Sequence, residues 1–150
     1  MTDDTVVDAT NPTTPSPREL IAAMALRNPV FKHLGIEVVL AEHGRSVFAM
    51  TVREELTNTF GAGHGGIVFT LADMAFGFTC NASGEKAMTA SAAIDYLAPA
   101  PVGARLLADA REVARQGRNV FYDVVISVEG GDAIAIARGR MRLLGGATLG

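Results

Sequence analysis

Between Asn58 and Asn81 a polar, glycine-rich stretch runs into an apolar one that carries a single carboxylate, Asp73, near its middle. The apolar part has the length of a helix, and a helix apolar on every side is expected to be buried all round. An ionised carboxylate in that setting loses much of its solvation unless it finds partners, so Asp73 is the first candidate for chemistry. A carboxylate can attack an electrophilic carbon or take a proton from water. The glycines ahead of it, Gly65 and Gly66, place a helix mouth, where unpaired N–H groups and the helix dipole favour negative charge. Glycine also lets the backbone come close to a ligand.

Two phosphate-binding readings compete for the same glycines. Gly61-Ala62-Gly63-His64-Gly65-Gly66 formally satisfies the dinucleotide fingerprint G-x-G-x-x-G. That fingerprint needs a strand before it and alternating strand–helix units around it, whereas this chain offers one apolar helix followed by strands. A P-loop fails because Ile67 and Val68 stand where Lys and Ser/Thr must follow the second glycine.

The elements that hold this segment follow from the rest of the chain. At 150 residues and 49% hydrophobic composition the sequence suits one domain with a real core. A net charge of −3 argues against nucleic acid or an anionic membrane as partner. One cysteine builds no disulfide framework, and three scattered histidines build no metal motif, so a reducing cytoplasm is expected. The apolar run 65–80 is interrupted by Asp73 and is shorter than the roughly 20 residues of a membrane helix. The start, Met1-Thr2-Asp3-Asp4, lacks the basic and apolar regions of a signal peptide.

Residues 1–16 mix Asp, Thr, Asn and Pro with no periodic pattern and read as a disordered tail, ahead of a single domain over 17–150. Ser16-Pro17-Arg18-Glu19 is a helix start with a cap, a proline at the first position and an acid three residues after the cap. That short helix ends before Pro29. Ile36, Val38 and Leu40 alternate, then Ser46 to Val52 continue after a turn at 42–45, which predicts a hairpin leading to the central helix, about 66–82. Beyond Gly84 four alternating segments follow, about 87–97, 104–114, 118–128 and 133–143. The last two are joined by Glu129-Gly130-Gly131-Asp132, a tight-hairpin signal that makes them antiparallel. Val120, Tyr122, Val124, Ile126 and Val128 share one face. Ala133, Ala135, Ala137 and Gly139 share another, and such small side chains let something bulky approach. The bulky partner is the central helix, which predicts an α+β fold with an antiparallel sheet curled around it.

The same residues resemble the PaaI-type acyl-coenzyme A thioesterases of the hotdog fold, relatives of the 4-hydroxybenzoyl-CoA thioesterases. The likeness covers about 30–145. It rests on Asn58, His64-Gly65-Gly66, Leu71-Ala72-Asp73, Ala75-Phe76, Cys80-Asn81 and Gly84, then on Ile94-Asp95-Tyr96-Leu97 and Arg115-Gln116-Gly117-Arg118. The resemblance implies that Asp73 is the catalytic carboxylate and that the Gly65 N–H polarises the thioester carbonyl. It implies that Asn58 and His64 order the mouth and that Ser91 helps to position the attacking water. Gly66, Gln116, Gly117 and Arg118 are the implied substrate-binding residues; Ala98 departs from relatives that carry Arg or Lys there. No cofactor or metal is expected, coenzyme A being part of the substrate.

Gly65 and Asp73 are eight residues apart on one helix, about 12 Å along its axis, so both cannot touch one carbonyl carbon. If both act, Asp73 meets Gly65 of another subunit across a two-fold interface. A homodimer at least is expected, and the resemblance implies a homotetramer.

Plainer readings stand beside these. Asp73 can belong to a structural pair, His64 can satisfy backbone groups in a glycine turn, and Ser91 can be strand packing. Cys80 reads as a small buried hydrophobe, Met74, Phe76 and Phe78 as core and acyl-pocket lining together, and the Arg138, Arg140, Arg142 stripe as a solvated edge. Alternative functions on the same fold are a non-catalytic acyl-CoA sensor and an enoyl-thioester hydratase or dehydratase, the latter using His64 with Asp73 of a neighbouring chain.

Overall fold

The computed structural model describes residues 14–150, so the expected tail lies, up to residue 13, outside the described residues. The first helix, α1 (Pro17–Arg27), starts as the sequence dictates. The Ser16 hydroxyl accepts from the Glu19 N–H while the Glu19 carboxylate accepts from the Ser16 N–H at 2.7 Å. Pro29 ends α1 as expected and also opens a second short helix, α2 (Pro29–His33), capped by Asn28, whose Oδ1 accepts from the Phe31 N–H at 2.9 Å. Proline at a first helical position loses no helical hydrogen bond, which is why one residue both stops and starts.

A hairpin of β1 (Glu37–Glu42) and β2 (Arg45–Thr51) follows, then a 3₁₀ turn at Glu54–Leu56 and the central helix α3 (Gly65–Asn81). Four strands complete the chain: β3 (Glu85–Tyr96), β4 (Arg105–Gln116), β5 (Asn119–Val128) and β6 (Ala133–Ala147). All pair antiparallel in one six-stranded sheet of order β1-β2-β4-β5-β6-β3. The helix packs against β2 to β6, and the buried side chains of helix and sheet form one core cluster.

The small-residue row of β6 does what its pattern predicts. Ala135, Ala137 and Gly139 are buried under the helix, and a Cβ on Gly139 would stand 2.8 Å from the Phe76 ring. On β5, Val120, Tyr122, Val124 and Ile126 are almost fully buried. Phe76 is therefore core alone and lines no pocket described below, in contrast to its expected double role.

Two further expectations are corrected. The arginine stripe does not lie on an edge: β6 sits between β5 and β3, and its arginines occupy the outward face of an interior strand, with Arg138 paired to Asp123 at 2.6 Å. The helix is not buried all round within one chain either. Val68, Leu71, Ala72, Ala75, Phe76 and Cys80 face the sheet, while Ile67, Thr70, Asp73, Met74 and Gly77 are only half-buried, because a sheet curls around one side of a helix and leaves the other open. No helix among the described residues is long and apolar enough to cross a membrane.

Candidate active site

The mouth of α3 is built by a loop that spends its polar groups on its own backbone. Asn58 Oδ1 accepts from the Phe60 and Ala62 N–H groups at 2.8 and 3.2 Å, and the Asn58 N–H donates to the Ala62 carbonyl at 2.7 Å. Thr57 and Gly63 form an antiparallel bridge. Gly63 passes so close to its neighbours that a Cβ would lie 2.9 Å from Ala100 Cβ, which accounts for a glycine there.

His64 is the N-cap of α3. Its Nδ1 accepts from the Gly66 N–H at 2.9 Å, which fixes Nδ1 as an unprotonated acceptor. The Gly66 donor is thereby used, and the Gly65 N–H is left without a partner among the described residues, directed out of the first turn. Tyr96 on β3 steadies that turn by donating its hydroxyl to the Gly65 carbonyl at 2.7 Å. Burial pushes the Tyr96 phenol up, which keeps it a donor. Asn58, Phe60, Gly65, Tyr96 and Leu97 line a cavity of about 430 Å³ at this mouth, and Phe60 is 92% exposed beside it.

Asp73 stands two turns further along and opens into a different, larger cavity of about 570 Å³ between α1, α3, β3 and β6. Its Oδ1 accepts from the Thr89 hydroxyl at 2.8 Å. The carboxylate is thus half-buried at a groove, held by one neutral donor, and it is no isolated charge in a core. The two cavities share no lining residue, so within one chain the free N–H of Gly65 and the carboxylate of Asp73 serve separate spaces.

Thr89 is the residue that sequence reasoning missed. It lies 16 positions beyond Asp73 on a strand of small residues, and only its pairing with the buried Met141 of β6 shows that it faces the helix. Ser91, expected to serve Asp73, is not brought to it. The β3–β6 register shifts between Thr89 and Ser91, so Ser91 pairs with the outward Arg140, whose Nε donates to the Ser91 hydroxyl at 3.4 Å. A bulge reverses side-chain parity, and an alternating pattern of small residues does not reveal it.

Gln116, Gly117 and Arg118 form the β4–β5 turn, where the Arg118 carbonyl accepts from the Leu143 N–H at 2.8 Å. None of the three lines either cavity. Met74 and Phe78 do line the Asp73 cavity. Cys80 is fully buried, and burial is the main cause that pushes its thiol up, which agrees with a packing role.

A six-stranded antiparallel sheet around one helix, with a donor at the helix mouth and a carboxylate on its open flank, defines a hotdog protein equipped for acyl chemistry. The model of the family described as "Thioesterase superfamily" matches residues 60–135. Acyl-coenzyme A thioesterase PaaI of Escherichia coli is 35% identical over 85% of this chain and 91% of its own length. Acyl-coenzyme A thioesterase 13 of Homo sapiens is 32% identical over 85% of this chain and 92% of its own. Among solved structures, the Escherichia coli PaaI protein from the phenylacetic acid degradation operon superposes with a TM-score of 0.85 at 31% identity, covering 87% of this chain and 95% of that one. The chain belongs to the thioesterase superfamily.

Proposed function

We propose that this protein hydrolyses an acyl-coenzyme A thioester to the free acid and coenzyme A, in a site shared between two copies of the chain. The observation that carries the reading is the division of labour along α3: one free N–H at Gly65 and one carboxylate at Asp73, about 12 Å apart and in separate cavities. Thioester hydrolysis builds negative charge on the carbonyl oxygen, which the Gly65 N–H of one copy receives. Asp73 of the other copy attacks the carbonyl carbon or takes a proton from the attacking water. The relatives carry the name acyl-coenzyme A thioesterase, and a Streptococcus mutans protein of TM-score 0.71 and 29% identity was solved bound to acetyl CoA.

The second copy has a natural seat. β3 is an edge strand whose residues 88–91 are exposed, it carries Thr89, and its outer backbone has no strand neighbour among the described residues. A copy docking along that edge covers the open flank of α3. Exposed Val125 and Ile136 on the outer sheet face support a further pairing of dimers into a tetramer. We place the protein in the cytoplasm, where its buried, unpaired Cys80 stays reduced.

Thiol release over a panel of acyl-CoAs tests the activity, with Asp73→Asn expected to fold and bind while kcat drops at least about a hundredfold. The shared site is tested by co-expressing Asp73→Asn with Gly65→Leu, whose side chain meets the Tyr96 ring. One site of each heterodimer then pairs an intact Gly65 with an intact Asp73, so about half of wild-type activity per heterodimer is expected if sites act independently. Folded hetero-oligomers that recover none refute the sharing.

A further inference from the structure

Neither the packing of α3 against the sheet nor the reaction accounts for a glycine at Gly77, in the interior of the helix. A glycine inside a helix costs about 1 kcal/mol relative to alanine. At Gly139 the sheet requires that cost, because a Cβ would strike Phe76. At Gly77 a Cβ would meet nothing within 4 Å. The space it would enter is the Asp73 cavity, since Gly77 lies one turn beyond Asp73 on the same flank and lines that cavity with it.

The walls around this space are chemically quiet. Asn81, at the far end, donates to the Gly77 and Ala87 carbonyls at 2.9 and 3.0 Å and accepts from the Ala87 N–H at 2.9 Å. Asn28 Oδ1 is engaged by the Phe31 N–H, and its Nδ2 lies 3.7 Å from Met74 Sδ. The Thr148 hydroxyl donates to the Asn81 carbonyl at 2.7 Å. Apart from Asp73 with Thr89 at the reacting end, the other polar groups are Arg27 and Lys86, both exposed. Met24, Met74, Met88 and Met141 supply flexible, polarisable surface that adapts to an irregular apolar guest.

Resting on the thioesterase reading above, we propose that Gly77 is a specificity-determining residue: its missing side chain leaves the channel past Asp73 open to the hydrocarbon tail of the acyl group. From Asp73 to Asn81 the channel runs about 12 Å. That is the reach of a saturated chain of roughly eight to ten carbons. The walls' amide and hydroxyl groups are paired internally, so a tail bearing a hydroxyl finds no free neutral partner among them, while the exposed Arg27 and Lys86 are the cations that line the cavity.

The experiment is a profile of kcat/KM against straight-chain acyl-CoA length, from acetyl to dodecanoyl, for wild type, Gly77→Ala and Gly77→Leu, with light scattering for oligomeric state. Wild type is expected to gain about fourfold per added methylene until the channel is full. Gly77→Leu is expected to lower the ratio of octanoyl to butanoyl kcat/KM at least tenfold, at unchanged mass. Gly77→Ala, which improves the helix, is expected to raise the melting temperature while moving the optimum toward shorter chains. An unchanged length profile in both variants overturns the inference. So does a loss of oligomer in Gly77→Leu, which assigns the glycine to contact between copies. A wild-type protein that releases thiol from an aryl acyl-CoA but from none of the straight-chain series also overturns the inference, whereas release from neither class fails the thioesterase reading itself, an outcome distinct from each of these.

Discussion

The hydroxyl of Thr89 is the only donor that the chain offers to Asp73 among the described residues, and removing it isolates what that contact does. Thr89→Val is nearly isosteric and keeps β-branching, which suits a strand, so the fold should be untouched. A hydrogen bond to a charged group is worth about 1.5–3 kcal/mol, and the pair stands at an exposed groove in the lone chain, which argues for the lower end. At about 1.4 kcal/mol per factor of ten, kcat should fall about tenfold, and further if a second copy covers the groove and dries the contact. Thr89 holds the carboxylate in place through its hydroxyl, a positioning contact. KM should therefore change little, which separates a positioning effect from lost substrate binding.

The assay is chromogenic thiol release at saturating acyl-CoA, run beside Thr89→Ser. Serine keeps the hydroxyl at the same reach, toward both Asp73 and Met141 Sδ, and is expected to retain kcat within about threefold, since it loses only the γ-methyl group. A Thr89→Val protein that turns over as fast as wild type refutes the positioning role. So does a Thr89→Ser protein as slow as Thr89→Val, because the missing methyl and not the hydroxyl would then be responsible.

Gly139→Val forces a side chain into the Phe76 ring, 2.8 Å from the nearest atoms, and should lower stability by about 1–3 kcal/mol, read as a fall in the thermal midpoint. Tyr96→Phe removes the donor to the Gly65 carbonyl and should loosen the helix mouth by about 1 kcal/mol, read as a several-fold drop in kcat with the melting temperature lowered by only about 2–4 °C. Arg115, bidentate at 3.0 Å, and then the Tyr122 hydroxyl hold the Glu112 carboxyl below the usual carboxylate range, against the effect of burial. A depressed folded-state value stabilises the protein fully above the unfolded carboxylate range, near pH 4.3, and the gain is lost as pH falls through the folded value. Urea unfolding should therefore show wild type ahead of Glu112→Gln at pH 7 and the gap narrowing as pH falls below the unfolded carboxylate range.

The sequence carried the elements well because each depended on local chemistry. The capping box at Ser16, the four-residue turn before β6 and the inward small residues of that strand all appear where pattern and spacing put them. Asp73 and the mouth glycines were legible for the same reason, being unusual residue types in a strongly apolar helix. What stayed hidden depended on pairing between distant strands. The order β5-β6-β3 decides that the arginine stripe is interior, and the shift between Thr89 and Ser91 decides which hydroxyl faces Asp73. In a strand reading Thr89-Ala90-Ser91-Ala92-Ala93, no side chain is bulky enough to announce which face is buried, so a one-residue bulge leaves no trace in the pattern.

That bulge also bears on why the open flank of α3 and the edge β3 belong to one surface. Thr89 faces Asp73 from the last strand of the sheet, so the carboxylate lies at the border of the fold and away from its centre. A half-buried apolar helix flank beside an unpaired strand edge is an unfavourable boundary for a lone chain. On the shared-site proposal, covering it with a second copy would remove that exposure and, in the same step, bring a foreign helix mouth with its free Gly65 N–H toward Asp73. Assembly and catalysis then depend on one surface. Substitutions that weaken the β3 edge should lower oligomer content and activity in parallel, whereas Asp73→Asn should lower activity alone.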